Sequence, residues 1–180
     1  MDEKVLPGPV DGSEEFEVRW GAKLLSFPAG STLVDVKDGF GWGDEVLMVQ
    51  VDYEIGPVSL ELMEEIKGDC SVTPLGFESE EGREALRHTA SHVLAQAVKR
   101  MFPEARLGIG PAIEDGFYYD FDTQHGFVSD DLEKIEAEMA LIIKENLSVR
   151  REVMSRQEAR ELFEQRGEPF KLEILEDIPE

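Results

Sequence analysis

Apolar and polar residues alternate in short bursts over the first third of the chain, and the period lengthens to that of a helix near residue 84. FEVRW (16–20) and KLLSF (23–27), joined by Gly21 and Ala22, predict a strand hairpin. STLVDV (31–36) predicts a short helix capped by Ser31 or Thr32, and GFGWG (39–43) reads as a turn cluster. EVLMVQVDY (45–53) is rich in β-formers, and GDCSVTPLGF (68–77) reads as a closing strand. Residues 1–15, full of Pro, Gly and acids, are expected to form a flexible arm.

Hairpin, short helix and two further strands suit a small β-grasp domain over residues 16–76. FESEEGRE (77–84) is the most linker-like stretch, and a second domain is expected over residues 80–180. There a helix runs from about Glu84 to Phe102 and ends at Pro103, followed by short strands near 106–109 and 116–122. Ser129 is expected to cap a helix with Leu132, Ile135, Met139 and Ile142 at helical spacing. SVRREVM (148–154) reads as a strand. Ser155 and Glu158 form a capping box for a helix that Gly167 ends, and PFKLEILE (169–176) reads as a last strand. The expected class is α+β, with the second domain a two-layer α+β sandwich.

Composition narrows this picture. A chain of 180 residues accommodates one domain or two small ones, and its single cysteine, Cys70, excludes an internal disulfide and a cysteine-rich zinc ribbon. No secretory h-region and no run of membrane-spanning length is visible, so a cytoplasmic protein without membrane contact is expected. The net charge of −22 repels phosphate backbones. It is uneven, however: residues 1–82 carry 5 basic against 19 acidic residues, and residues 83–180 carry 13 against 21. Arg83, Arg87, Lys99, Arg100 and Arg106 lie close in sequence and leave two readings open, a local basic face or ordinary solvated helix positions.

His88 and His92 are two of only three histidines, spaced one helical turn apart. At 100° per residue they point away from a stripe of Leu86, Ala90, Val93, Leu94, Ala97 and Met101, with Ala95 and Lys99 as companions. A zinc-protease reading fails because Thr89 stands where the general-base glutamate is required. A metal centre would need a third ligand, and His125 in a loop and Cys70 across the domain boundary are poor candidates, so no metal is expected. There remains a pair of imidazoles able to position a hydroxyl or a water near neutral pH, or else a plain solvated pair. LGIGPAIEDGF lacks the Lys-Ser/Thr ending of a phosphate loop, and its glycines are expected to serve tight turns. In the aromatic run Phe117, Tyr118 and Tyr119, Tyr118 opposes its neighbours, and Lys171 is expected on the polar side of the last strand with Glu173.

RHTASHVLAQAVKRMFPEARLGIGPAIEDGFYYDFD (87–122) closely resembles the histidine-containing segment of bacterial threonyl-tRNA synthetases, and the likeness continues to SRQEARELFEQRGEPFKLEILEDIPE (155–180). The upstream β-grasp candidate is similar to the TGS domain, the ubiquitin-like module at the N-terminus of these enzymes. The resemblance implies that residues 80–180 are an editing domain, which hydrolyses tRNA(Thr) mischarged with serine at its 3′ end. Serine lacks one methyl of threonine, which a pocket discriminates by only about 1–3 kcal/mol, hence the need for a second, hydrolytic site. The family's histidine pair matches His88 and His92, its editing lysine matches Lys171 and its site tyrosine matches Tyr119. The family completes that site with a cysteine and a histidine, preceded by an aspartate, further C-terminal, so the resemblance implies a partial site here. It also implies that the class II core using ATP, magnesium and zinc, through which the whole enzyme forms a homodimer, belongs to the rest of the synthetase, and that the 180 residues hold no cofactor and are inactive alone.

The sequence leaves two other functions open. TGS domains also occur in non-catalytic RNA-binding or regulatory settings, and some uridine-kinase-like proteins carry similar leading domains.

Overall fold

The computed structural model describes residues 15–124, 126–147, 149 and 152–178, and within these the chain is mixed α+β. It divides into two compact units, residues 1–86 and 87–180. The arm expected over residues 1–15 lies outside the described residues except for Glu15, which opens the first strand, and His125 also lies outside them.

In the first unit, β1 (Glu15–Trp20) and β2 (Lys23–Pro28) form the expected antiparallel hairpin, turning at Gly21 with φ 57°. α1 (Leu33–Phe40) follows, then β3 (Met48–Tyr53), β4 (Gly56–Glu61) and β5 (Cys70–Leu75). The sheet order is β2-β1-β5-β3-β4, with β1 and β5 parallel and all other pairs antiparallel. β4 has no counterpart in the sequence reading, because Gly56 and Pro57 look like turn residues. It is an edge strand, where proline's missing N–H is tolerated. Alternation along β1 sends Phe16 and Val18 inward and Glu15, Glu17 and Arg19 outward. The inward residues join Val49, Val51 and Val72 of the sheet and Leu33, Val36 and Phe40 of α1 in one core.

The stretch expected to be a linker is ordered. Ser79 Oγ donates to the Gly76 carbonyl at 2.7 Å and accepts from Gly82 N at 3.1 Å, and the helix α2 (Glu80–Met101) begins at once. Its start is thus four residues earlier than the sequence pattern indicates.

In the second unit, α2 is followed by two separate two-stranded ladders. One pairs β6 (Arg106–Leu107) with β9 (Phe121–Asp122), the other β7 (Ala112–Ile113) with β8 (Gly116–Phe117). These two-residue strands replace the longer ones expected at 106–109 and 116–122, and among the described residues they form no sheet layer of the kind a two-layer sandwich requires. α3 (Ser129–Glu145) is capped by Val128 and Asp131, whose carboxylate accepts from Val128 N at 3.1 Å. Ser129 is its first helical residue and not the expected cap. Ile135 and Ile142 of α3 pack with Ala97, Val98 and Ala105 in the core.

Of SVRREVM, residues 148, 150 and 151 lie outside the described residues, and 152–154 are not in a strand. α4 (Arg156–Arg166) has the expected capping box, Ser155 with Glu158, and ends at Gly167 with φ 64°. PFKLEILE is no strand: it forms the helix α5 (Pro169–Asp177). Pro169 occupies the first helical position, where its fixed φ fits and its absent N–H costs nothing. Among the described residues no helix is long and apolar enough to cross a membrane.

Candidate functional site

α2 carries the two histidines on its outer side, but its buried face differs from the stripe the sequence suggests. Ser91, Ala95, Ala97 and Val98 are its most buried side chains, whereas Leu86 is 42% exposed. The burial centre is rotated toward the small residues, and His88 and His92 remain exposed. Ala95, expected as an open companion, is buried. Ser91 Oγ turns back onto the His88 carbonyl at 2.7 Å, so this hydroxyl is satisfied within its own helix.

The imidazoles meet. His88 Nε2 and His92 Nε2 are 3.0 Å apart, with the rings nearly perpendicular at 89° and centroids 4.5 Å apart. A hydrogen bond between two neutral rings fixes their tautomers as a complementary couple. The donating ring keeps a lone pair on Nδ1, and the accepting ring keeps a proton there. The couple therefore offers one base and one donor. Partial burial, then the neighbouring His88, then the positive charge of Lys171 hold the His92 pKa below the ordinary histidine value, so His92 is neutral at pH 7.

Lys171 acts on His92 by charge although it is 79 residues further along the chain, and it does so from the helix α5. Lys171 lies in the first turn of α5, with its amide donating to the Glu168 carbonyl at 3.2 Å. Glu168, the residue before Pro169, is only 6% exposed, and its Oε1 pairs with Lys99 Nζ at 3.1 Å. Lys99 Nζ also donates to the Ala105 carbonyl at 2.8 Å. Lys99 is expected from the sequence as a companion of the histidines, but Glu168 does not stand out in sequence as part of the site. The signal that could have revealed it is Gly167-Glu168-Pro169, a helix stop followed by a proline start, which places Lys171 on a helix.

Tyr119 stacks on Phe121 with centroids 4.9 Å apart, and its ring lies against the backbone of Gly110. Burial and then the Glu168 carboxylate push its pKa up, so it is a neutral phenol that donates. Gly108 and Gly110 have no positive φ, so they do not serve the tight turns expected of them. They admit close neighbours: a Cβ on Gly110 would sit 2.1 Å from Tyr119 Cδ2, and one on Gly108 would sit 2.9 Å from the Asp120 carbonyl. Tyr118 is exposed, on the opposite side from its neighbours as expected.

The structure thus links His92 to His88 by contact and to Lys171 by charge, and links Tyr119 to Glu168, three residues before Lys171. Among the described residues no group of three metal-binding side chains exists. Cys70, in the first unit, is buried with its pKa pushed up to about 12, which makes it a poor nucleophile. A cavity of about 580 Å³ borders Phe121 and Phe170, but it carries Asp120, Asp122, Glu173 and Asp177 and neither histidine. Such a rim disfavours a phosphate-bearing ligand, so the histidines and not this cavity define the candidate site.

The basic face that Arg83, Arg87, Lys99, Arg100 and Arg106 left open does not form. Arg83 donates to the carbonyls of Phe77 and Glu78, and Arg87 to those of Ile113 and Glu114. Arg100 pairs with Glu138 at 3.0 Å and Glu145 at 2.7 Å, and Arg106 faces Asp122 at 3.7 Å. With Lys99 held by Glu168, all five cations are engaged in the fold.

No protein-family model matches the chain. It is 48% identical to a threonine–tRNA ligase of Clostridium tetani over 155 residues, which are 82% of the chain and 24% of that protein. To a threonine–tRNA ligase of Clostridium kluyveri it is 42% identical over 167 residues, 93% of the chain and 24% of the relative. A threonine–tRNA ligase of Carboxydothermus hydrogenoformans is 57% identical over 104 residues, 58% of the chain and 16% of the relative. The chain spans about a quarter of the length of the first two.

Proposed function

We propose that the chain is part of a threonine–tRNA ligase and that its second unit belongs to a hydrolytic editing site, which removes serine from tRNA(Thr). The observation that carries this reading is the contact of His88 Nε2 with His92 Nε2, with the charge of Lys171 acting on His92, in a chain similar to threonine–tRNA ligases over most of its length. The strand order of the first unit, with α1 packed on the sheet, supports a β-grasp, TGS-like domain over residues 16–76 preceding an editing domain over 80–180.

Hydrolysis of an aminoacyl ester requires a water to attack the carbonyl carbon, a base to accept its proton, and charge to stabilise the oxyanion. The departing ribose oxygen must then be protonated. The imidazole couple supplies the lone pair for the water and the N–H for the leaving oxygen or its neighbouring hydroxyl. Lys171 supplies the positive charge for the oxyanion or for the 3′ nucleotide. Tyr119, neutral and stacked, supplies a hydroxyl donor and a planar face to the terminal nucleotide.

In this reading the 180 residues hold part of the editing site, no metal and no cofactor. ATP, magnesium and zinc serve the aminoacylation core of the class II enzyme, which is cytoplasmic and homodimeric through that core. The partners are the 3′ end of tRNA(Thr) and the rest of the synthetase.

The test is deacylation of seryl-tRNA(Thr) against threonyl-tRNA(Thr), by the 180 residues alone and by the same residues joined to the remaining sequence of the Clostridium tetani enzyme. The joined form is expected to release serine, the 180 residues alone to do so poorly, and His92→Ala or Lys171→Ala in the joined form to lose about 100-fold or more. Because the His92 pKa is lowered from the ordinary histidine value, the rate should fall on acidification with a midpoint below that of a free histidine, as His92 gains the proton that removes its basic lone pair. Full rates in both variants would refute the residue assignment, and full activity of the 180 residues alone would refute the partial site.

A further inference from the structure

The Lys99–Glu168 pair has features that a surface ion pair does not. Glu168 is almost entirely buried, its Oε1 is 3.1 Å from Lys99 Nζ, and its Oε2 is buried with no hydrogen-bond partner among the described residues. A carboxylate in such surroundings is costly, and its position is dictated by the cation that offsets the cost. That cation is on the histidine face of α2. Lys99 is seven residues beyond His92, two turns along the same side and about 10 Å away. Glu168 in turn is the N-cap residue of α5, with its carbonyl accepting from the amides of Lys171 and Leu172, so wherever the pair fixes Glu168, the first turn of α5 follows.

We infer that Glu168, through Lys99, is a positioning residue: the pair anchors the start of α5 to the histidine face of α2 and thereby sets Lys171 beside His92. Glu168 itself need not touch a substrate, since its free oxygen is out of reach of solvent. The pair also explains why α5 forms a helix at a sequence with strand-like alternation, since the buried anchor precedes a proline already committed to a helical start. This inference rests on the proposed site but concerns its geometry alone, so it is tested without tRNA.

The experiment is NMR titration of the His92 ring in the 180-residue protein, the Lys171→Met, Glu168→Ala, Glu168→Gln and Lys99→Ala variants, and the Glu168→Ala/Lys171→Met double variant. Lys171→Met removes the cation and should raise the His92 midpoint. Glu168→Ala and Lys99→Ala should raise it by about as much by releasing Lys171, and Glu168→Gln, which keeps the hydrogen bond to Lys99, should raise it less. The double variant should match Lys171→Met alone. An unchanged midpoint in folded Glu168→Ala, or additive shifts in the double variant, would overturn the inference. Loss of the fold in both Glu168→Ala and Lys99→Ala would also overturn it, by making the pair a requirement of folding alone. A failed deacylation assay beside a coupled titration would refute the hydrolytic reading and leave the anchor standing.

Discussion

At the scale of single residues, the site depends on where small side chains let others approach. Gly110 is the clearest case, because its backbone conformation is open to any residue and only space forbids a side chain. An added methyl would meet three atoms of the Tyr119 ring at 2.1 to 2.7 Å. Gly110→Ala must therefore displace the ring from its stack on Phe121, with an expected loss of about 1–3 kcal/mol in stability. Thermal unfolding and the ring resonances of Tyr119 check this; an unaltered midpoint with unaltered resonances would show that the close approach is not a constraint. The same logic accounts for the face of α2 that the sequence misplaced. A reading weighted by large apolar residues finds Leu86 and Leu94, whereas Ser91 and Ala95 are buried beside Ala97 and Val98, small residues that allow neighbouring chain to come close. His88 and His92 were legible because one-turn spacing on a helix is a local property. Glu168 was not, because its importance comes from Lys99, 69 residues earlier.

At the scale of elements, what was legible follows from how local each determinant is. The β1–β2 hairpin, α1, β3 and β5 announce themselves by alternation and turn residues, and α4 by its Ser155–Glu158 capping box. α5 was misread because Phe170, Leu172 and Ile174 alternate with Lys171 and Glu173 at the strand period. Its helical form rests on a proline start and a buried ion pair that reaches another helix. The capping device of α1 is self-contained enough to test. Thr32 Oγ1 accepts from Asp35 N at 3.4 Å and donates to Asp35 Oδ2 at 2.9 Å, while Thr32 N donates to the same carboxylate oxygen at 2.7 Å. Since α1 contributes Leu33, Val36 and Phe40 to the core of the first unit, loosening its start should be felt throughout that unit. Thr32→Ala is expected to cost about 1 kcal/mol in denaturant unfolding and Thr32→Ser very little. Equal losses in both would place the effect in packing of the threonine methyl and not in the cap.

At the scale of the whole molecule, a net charge of −22 on 180 residues sets the balance between repulsion and cohesion. Arg83 and Arg87 are held by backbone carbonyls, and Lys99, Arg100 and Arg106 are paired with carboxylates that offset their charge, so these five add cohesion and leave little unpaired positive charge for a phosphate backbone. Salt then acts in two opposed ways. It weakens exposed pairs such as Arg106 with Asp122, each worth about 1 kcal/mol or less, and it screens the repulsion among 40 acidic residues. The second effect should win, because the excess of negative charge is large and the screening length falls from about 30 Å at 10 mM to about 10 Å at 100 mM, which still leaves close pairs interacting. The thermal midpoint is therefore expected to rise by several degrees between those concentrations of sodium chloride, while binding of the 180 residues to uncharged tRNA(Thr) stays undetectable at micromolar protein in both. A midpoint that falls with salt would mean that ion pairs dominate the stability. Tight binding at 10 mM, lost at 100 mM with the steep dependence that displaced counterions produce, would mean that a free basic surface exists and that the site draws its tRNA by charge.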